Sequence, residues 1–240
     1  MPKYVWGDEP FDLNYIPLCI LFGALLNSFA LELGRYSSSA QDYRGVICVT
    51  LAWVHGYYNT VSAQINVKMN GSGMGLDDAK QMQALKVAER SLYNTLEQGV
   101  PFLIMLWLAA VFIDNTSIAL YLGWAYVLPR MLYPLAYSYH GHFSMWCELI
   151  TQPNYQTLFY FKTTLLFHAL NMGELEKYWP QDPNASFCAS VAFFFVGGIL
   201  DQLVCWSWPA GYPSAVFNMR ANLAEVQVQA KVDRRRKRNL

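Results

Sequence analysis

Apolar residues gather along the chain into six long runs that polar connections separate. The runs lie at residues 15–33, 45–64, 97–113, 117–137, 155–170 and 186–208. A helix rises about 1.5 Å per residue, and crossing a bilayer takes about 20 residues, so most of these runs are long enough to span a membrane. The run at 155–170 is short and contains Lys162 and His168. It is either a tilted span completed by its flanks or a helix lying at the interface. The pattern predicts an all-α integral membrane protein with five or six spans.

Composition and charge agree with that class. Hydrophobic residues make up 54% of the chain and charged residues 14%, whereas a soluble domain carries about 25% charged residues. Six of the 17 Lys and Arg residues lie in the last ten positions. Positive charge stays preferentially on the cytosolic side, so we expect a cytosolic C-terminal tail. Binding of nucleic acid is not expected, because a basic tail beside a membrane span serves topology or contact with anionic lipid.

One long polar connection, at residues 67–87, separates the second and third apolar runs. Asp77 or Asp78 can cap a helix, so the helix that carries Arg90 is predicted to begin near residue 78 and to extend some turns outside the membrane. The glycines at residues 71–75 do not form a phosphate-binding loop, because the G-x-x-x-x-G-K-[ST] pattern is missing.

Three polar residues share one face of that helix just before it becomes apolar. Arg90, Asn94 and Glu97 are spaced four and three residues apart, and Pro101 follows four residues later. A polar side chain facing hydrocarbon is costly, so these residues are expected to face a bundle interior, a subunit interface or a ligand. They can also be structural ties between helices, each contributing about 0.6 to 2 kcal/mol.

A second polar set, Arg130, Tyr133 and Tyr137, follows on the next predicted helix at spacings of three and four. The two sets in this order resemble the MAPEG family, the membrane-associated proteins of eicosanoid and glutathione metabolism, over roughly residues 45–139. The resemblance implies a four-helix bundle that trimerises, here with one or two extra membrane helices. It divides the chain into an N-terminal segment (1–44) with an extra span, a MAPEG-like membrane domain (45–208) and a polar, basic extension (209–240).

The resemblance also implies a glutathione site near the cytosolic surface, between neighbouring subunits. Arg90, Asn94 and Glu97 match the family residues that hold the glutathione backbone. The second set, Arg130, Tyr133 and Tyr137, matches the residues that complete the pocket. The chemistry suits the ligand, since a guanidinium fork binds carboxylates and a carboxylate binds an ammonium group.

The chain departs from the family where active members place an arginine that stabilises the glutathione thiolate. No arginine lies between Arg130 and Arg220. A thiol with a pKa of about 8.5 is largely protonated at neutral pH unless a positive charge or a donor favours the thiolate. His140, His142, Lys162 and Ser144 are the candidate substitutes. No metal site is predicted, because a His-x-His pair lacks a third ligand and the five cysteines show no C-x-x-C spacing.

Two functions follow from these observations. The first is a MAPEG-like membrane protein that binds glutathione at a subunit interface and conjugates it to, or uses it to reduce, a lipophilic acceptor. The second is a non-catalytic, MAPEG-derived accessory subunit of a larger membrane complex, which the missing arginine and the added helices favour. The expected partners are the lipid bilayer, further copies in a homotrimer or other subunits of a complex, and a lipophilic small molecule. Family analogy indicates the endoplasmic reticulum, with mitochondrial and plastid membranes left open.

Overall fold

The computed structural model describes residues 13–37, 43–70, 78–112, 116–141, 144–173 and 175–207, and these residues are helical apart from short connections. The helices are α1 (Ile16–Tyr36), α2 (Arg44–Asn70), α3 (Asp78–Phe112), α4 (Thr116–His140), α5 (Met145–Ala169) and α6 (Pro183–Ser207). Two short 3₁₀ turns precede α1 and α6, at Leu13–Tyr15 and Leu175–Tyr178. No strand occurs in this part of the chain, so the predicted all-α class is confirmed.

The helix that carries Arg90 begins at Asp78, as its sequence predicts. It continues without a break through Pro101 to Phe112 over 35 residues, which at about 1.5 Å per residue is about 52 Å. That length exceeds the thickness of a hydrocarbon core, so the N-terminal turns of α3 extend beyond it.

The short apolar run at residues 155–170 is the C-terminal part of a longer helix. Helix α5 begins ten residues earlier, at Met145, and has 25 residues. Its first half carries Glu148, Gln152, Asn154 and Gln156, and hydropathy alone therefore does not extend the run this far. In the structure these four side chains are buried.

Three helices are long and apolar enough to cross a membrane by length and composition: Ile16–Tyr36, Lys80–Phe112 and Pro183–Leu200. The sequence pattern predicted five or six spans. The described helices α2, α4 and α5 are less apolar than this criterion requires. Helix α5 shows the reason, because its buried polar side chains lower its mean hydropathy although they do not face lipid.

Helix α4 is central to the bundle. It packs against α1, α2, α3 and α5, while α1 also packs along α5 and α2 along α3. The aromatic rings of Phe102 on α3 and Tyr126 on α4 stack at 3.7 Å between centroids, and both side chains are fully buried. Helix α6 packs on α5 through the rings of Phe193 and Phe159, whose centroids lie 5.2 Å apart.

Close helix approach depends on glycine at the contact between α1 and α4. A Cβ atom on Gly34 would lie 2.7 Å from the Cα of Ile118. Backbone cannot move away as a flexible side chain can, so a larger residue at position 34 would separate the two helices.

A seam of buried amides and hydroxyls joins α1 to α5. Asn27 donates to the Pro153 carbonyl at 2.9 Å and accepts from the Thr157 hydroxyl at 2.9 Å. Two helical turns earlier on α1, the Ile20 carbonyl accepts a hydrogen bond from Gln156 at 2.9 Å. The extra N-terminal helix is therefore fixed in register by polar contacts, as is common between helices in membranes.

Near the C-terminal end of α1, an ion pair connects that helix to α6 through a serine. Arg35 forms a salt bridge with Glu32 at 3.2 Å. Ser186 of α6 donates to Glu32 at 2.8 Å and also accepts from Arg35.

The chain divides into two compact units, Met1–Ile199 and Leu200–Leu240. The first contains the bundle just described. Of the second, the structure describes the last turns of α6. The predicted domain boundaries at residues 44 and 208 remain predictions, and the extension at 209–240 lies outside the described residues.

Candidate functional site

The predicted polar residues of α3 form a band that passes from the outer surface of the helix into the bundle. Glu97 is exposed, Arg90 is half-buried, and Asn94 is 7% exposed. Gln98, one residue after Glu97, continues the band inward. The three residues therefore share one side of α3, as their spacing predicts, but only Asn94 is buried.

Arg130 of α4 meets this band in the interior. It is 3% exposed and donates to the side-chain oxygens of Asn94 and Gln98, the latter at 3.1 Å. Its guanidinium carbon also lies 4.6 Å from the centre of the Tyr133 ring. Both of these hydrogen bonds go to neutral amides, and the Nε atom of Arg130 has no hydrogen-bond partner among the described residues. The guanidinium therefore keeps its positive charge inside the bundle without a carboxylate among these hydrogen-bond acceptors.

Gln98 and Tyr155 belong to the same cluster, although neither is predicted from the sequence pattern. Gln98 donates to the Tyr155 hydroxyl at 3.1 Å, which brings α5 into contact with the Arg130 group. Gln98 lies four residues after Asn94, so helical spacing could have indicated it. Tyr155 carries no such signal, because only the packing of α5 places it there.

The tyrosines of α4 extend the cluster from Arg130, whose guanidinium packs over the Tyr133 ring. The rings of Tyr133 and Tyr137 stack at 5.8 Å between centroids. The Arg90 guanidinium lies close enough to act electrostatically on both hydroxyl groups. Tyr133 is fully buried, and its hydroxyl lacks a hydrogen-bond partner within the described part of the chain. The structure thus brings the two polar sets of α3 and α4 together.

The candidate substitutes for the missing arginine are placed differently. His140 is the last residue of α4, and Lys162 is exposed on α5. The Ser144 hydroxyl donates to the sulfur of buried Cys147 at 3.6 Å, and Cys147 is close enough to act electrostatically on Tyr137. His142 lies outside the described residues.

A cavity of about 670 Å³ lies between α2, α3 and α4, and Arg130 forms part of its wall. Of the six residues predicted to hold glutathione, Arg130 alone lines it. The other five lie elsewhere on α3 and α4. No group of three or more His, Cys, Asp or Glu side chains able to hold a metal ion occurs in the described ranges.

Comparison with protein families supports the assignment made from the two polar sets. The model of the MAPEG family matches residues 45–147. This segment covers α2, α3, α4 and the first turn of α5, so α1, most of α5 and α6 lie outside the match. Neither a curated protein nor a solved structure matches the chain. The resemblance to the MAPEG family is confirmed for residues 45–147, and the protein is a membrane protein with helices on both sides of the matched region.

Proposed function

We propose that the protein binds glutathione at a subunit interface and conjugates it to, or uses it to reduce, a lipophilic acceptor. The observation that carries this proposal is the cluster around Arg130. Two polar sets separated by 36 residues meet in the bundle, where Arg130 contacts Asn94 and packs over the Tyr133 ring.

The charges of the cluster are complementary to those of glutathione. The tripeptide carries two carboxylates and one ammonium group, and Arg90 and Arg130 provide two guanidinium groups for the former. Glu97 provides a carboxylate for the latter. Its exposure on a membrane helix supports a site shared with a neighbouring copy, because a charge facing hydrocarbon is costly.

Chemistry at the glutathione sulfur requires a group that favours the thiolate. The chain has no arginine between Arg130 and Arg220, so the thiolate must be favoured by another group. Tyr137 is half-buried and can donate to sulfur. A tyrosine hydroxyl supplies no positive charge, and we therefore expect slow turnover compared with an enzyme that uses arginine.

Glutathione binding is tested by calorimetric titration of the purified protein with its oligomer intact. Arg90→Gln and Arg130→Gln should each weaken binding by about tenfold or more, as expected from loss of a hydrogen bond to a charged group. Arg44→Gln is the matched control, because Arg44 is exposed at the start of α2. Absence of binding by the wild-type protein at millimolar glutathione would remove the proposal.

The accessory-subunit alternative rests on the packing of the additional helices. Helix α1 is fixed to α5 by buried hydrogen bonds of Asn27 and Gln156. Stable helices outside the family match provide contact surface for other proteins without adding chemistry. Purification in mild detergent separates the two proposals, since an assembly of this chain alone counts against an accessory role.

A further inference from the structure

Two prolines interrupt the hydrogen-bond ladder of α4. Pro129 and Pro134 both lie inside this helix. Because a proline has no backbone N–H, neither can donate to the carbonyl four residues earlier, which belongs to Ala125 and to Arg130, respectively. Sharp bends in helices occur at such positions. Residues 129–134 are therefore a point at which α4 can bend.

The N-terminal half of α4 is held tightly by its neighbours. A Cβ atom on Gly34 of α1 would lie 2.7 Å from the Cα of Ile118, and a Cβ atom on Gly123 would lie 2.9 Å from the Val49 side chain of α2. Helices that approach this closely leave no free space between them. The part of α4 before Pro129 is therefore fixed against both α1 and α2.

The C-terminal half of α4 borders open space instead. It lies beside the cavity of about 670 Å³ between α2, α3 and α4. All but one of the cavity-lining residues from this part of the chain follow Pro129, namely Arg130, Met131, Pro134, Leu135, Ser138 and, just after the helix, Gly141. Side chains that border a cavity lose packing contacts on that side. This half of α4 therefore has room to move.

Helices α2 and α5 contact opposite sides of this half. A Cβ atom on Gly56 of α2 would lie 3.4 Å from the flexible Met131 side chain. Tyr133 is close enough to Cys147 of α5 for the two to interact electrostatically. Two residues along a helix are about 200° apart around its axis, so movement of this half toward α2 opens its contact with α5.

The same half carries part of the proposed glutathione site in an enclosed form. Arg130 and Tyr133 are 3% and 0% exposed, so a ligand cannot reach them in this arrangement. Arg130 is held by hydrogen bonds to Asn94 and Gln98 of α3. Both acceptors are neutral amides, which bind a guanidinium less strongly than a carboxylate does. An anionic ligand can therefore replace the contacts that hold Arg130 in place.

We propose that residues 129–134 are a hinge, about which the C-terminal half of α4 swings toward α2 and away from α5. The swing exposes Tyr133 and the Arg130 guanidinium, and it is the step by which a carboxylate of glutathione reaches them. The identity of the ligand rests on the proposed function. The hinge itself depends only on the two prolines and on the space beside this half of α4.

Alkylation of two native cysteines tests the hinge without glutathione. Cys147 and Cys19 are both fully buried. Cys147 faces α4, whereas Cys19 lies on α1 with its sulfur 3.9 Å from the Met145 carbonyl oxygen of α5. The full-length protein in phosphatidylcholine nanodiscs is treated with N-ethylmaleimide, and peptide mass spectrometry follows each cysteine. Because separation of α4 from α5 exposes Cys147, we expect it to react faster than Cys19.

Two variants should change the ratio of these rates in opposite directions. Pro129→Ala/Pro134→Ala restores both backbone hydrogen bonds and should lower the Cys147 to Cys19 ratio by at least about fivefold. Gln98→Leu removes one of the bonds that hold Arg130 and should raise the ratio by at least about fivefold. Global unfolding exposes both cysteines, so it does not imitate either change.

The matched control is Pro101→Ala, which removes a proline from inside a different helix, α3. Because this change leaves the ladder of α4 as it is, the rate ratio should stay within about twofold of the wild-type value.

Calorimetric titration tests whether the hinge admits the ligand. The probe is S-methylglutathione, which keeps both carboxylates and the ammonium group. Pro129→Ala/Pro134→Ala should weaken its binding by at least about fivefold, matching the fall in the alkylation ratio, because the apparent affinity falls with the population of the open state. Pro101→Ala should bind within about twofold of the wild type.

Two results would overturn the hinge: equal reaction rates of Cys147 and Cys19 in the wild type, or a rate ratio that Pro129→Ala/Pro134→Ala leaves unchanged. Unchanged affinity of that variant for S-methylglutathione would overturn ligand entry through the hinge. Absence of binding by the wild type would remove the proposed function together with ligand entry, and the alkylation rates would still decide the hinge.

Discussion

Replacing Asn27 by leucine tests whether the polar seam fixes α1 to the bundle. Leucine has the same branching pattern as asparagine and is larger, so the change removes hydrogen bonds without creating a cavity. The Asn27 amide donates to the Pro153 carbonyl and accepts from Thr157, each at 2.9 Å. Asn27 and Thr157 are both fully buried, so water cannot replace the lost partners.

The expected cost follows from these two bonds. Polar contacts between membrane helices contribute about 0.6 kcal/mol on average and up to about 2. A buried group left without its partner adds about 1–3 kcal/mol. The leucine recovers part of this by removing a buried amide, and we expect a net loss of about 2 kcal/mol in the free energy of unfolding.

The assay is reversible unfolding in mixed micelles with increasing denaturing detergent, followed by circular dichroism. Asn66→Leu is the matched control, because Asn66 is exposed on α2, and its effect should stay within about 0.5 kcal/mol. The double variant Asn27→Leu/Thr157→Val should lose less free energy of unfolding than the two single variants lose in total, since both partners of the bond are then apolar. A loss below about 0.5 kcal/mol for Asn27→Leu, or additive single and double changes, would refute the reasoning.

Further predictions concern packing and assembly. Gly34→Ala should lower the free energy of unfolding by about 1–3 kcal/mol, because the new Cβ atom would meet the Ile118 backbone. At Gly56 the nearest neighbour of a new Cβ atom is a flexible Met131 side-chain atom at 3.4 Å. Gly56→Ala should therefore be neutral or stabilising by up to about 1 kcal/mol. Thermal unfolding of the pair checks this, and equal effects would contradict it. Phe102→Leu should lower the free energy of unfolding by about 1–2 kcal/mol, because the stacking on Tyr126 is lost. Phe112 is 45% exposed, so Phe112→Leu should lower it by less than about 0.5 kcal/mol in the same assay. Light scattering of the detergent-solubilised protein should give the mass of a homotrimer if glutathione lies between subunits. A monomeric mass would contradict the shared site.

Much of the helical framework could be predicted from the chain itself. Long apolar runs predict membrane helices because backbone polar groups in lipid must bond within the segment. The observed bounds of α1, α2 and α4 lie within a few residues of the predicted runs, apart from the polar C-terminal end of α2. The start of α3 at Asp78 was likewise predicted from a capping residue after a glycine-rich connection.

The candidate site was predicted only in part. Helical spacing placed Arg90, Asn94 and Glu97 on one side of α3, and the resemblance paired them with Arg130, Tyr133 and Tyr137. Helical spacing does not show how deeply a side chain is buried in the bundle. The contrast between buried Asn94 and exposed Glu97 comes from the position of α4. The cavity beside Arg130 likewise depends on three helices that are distant in sequence.

The helical membrane class, the family resemblance and the two sets of polar residues could be read from the sequence, because hydropathy and helical spacing are local properties of the chain. The burial of the polar first half of α5 against α1 became evident from the packing of the helices. The same packing brings Gln98 and Tyr155 to the Arg130 cluster. The physical reason is that a polar side chain in a membrane helix is stable wherever a partner satisfies its hydrogen bonds, and the partner is chosen by packing between distant segments.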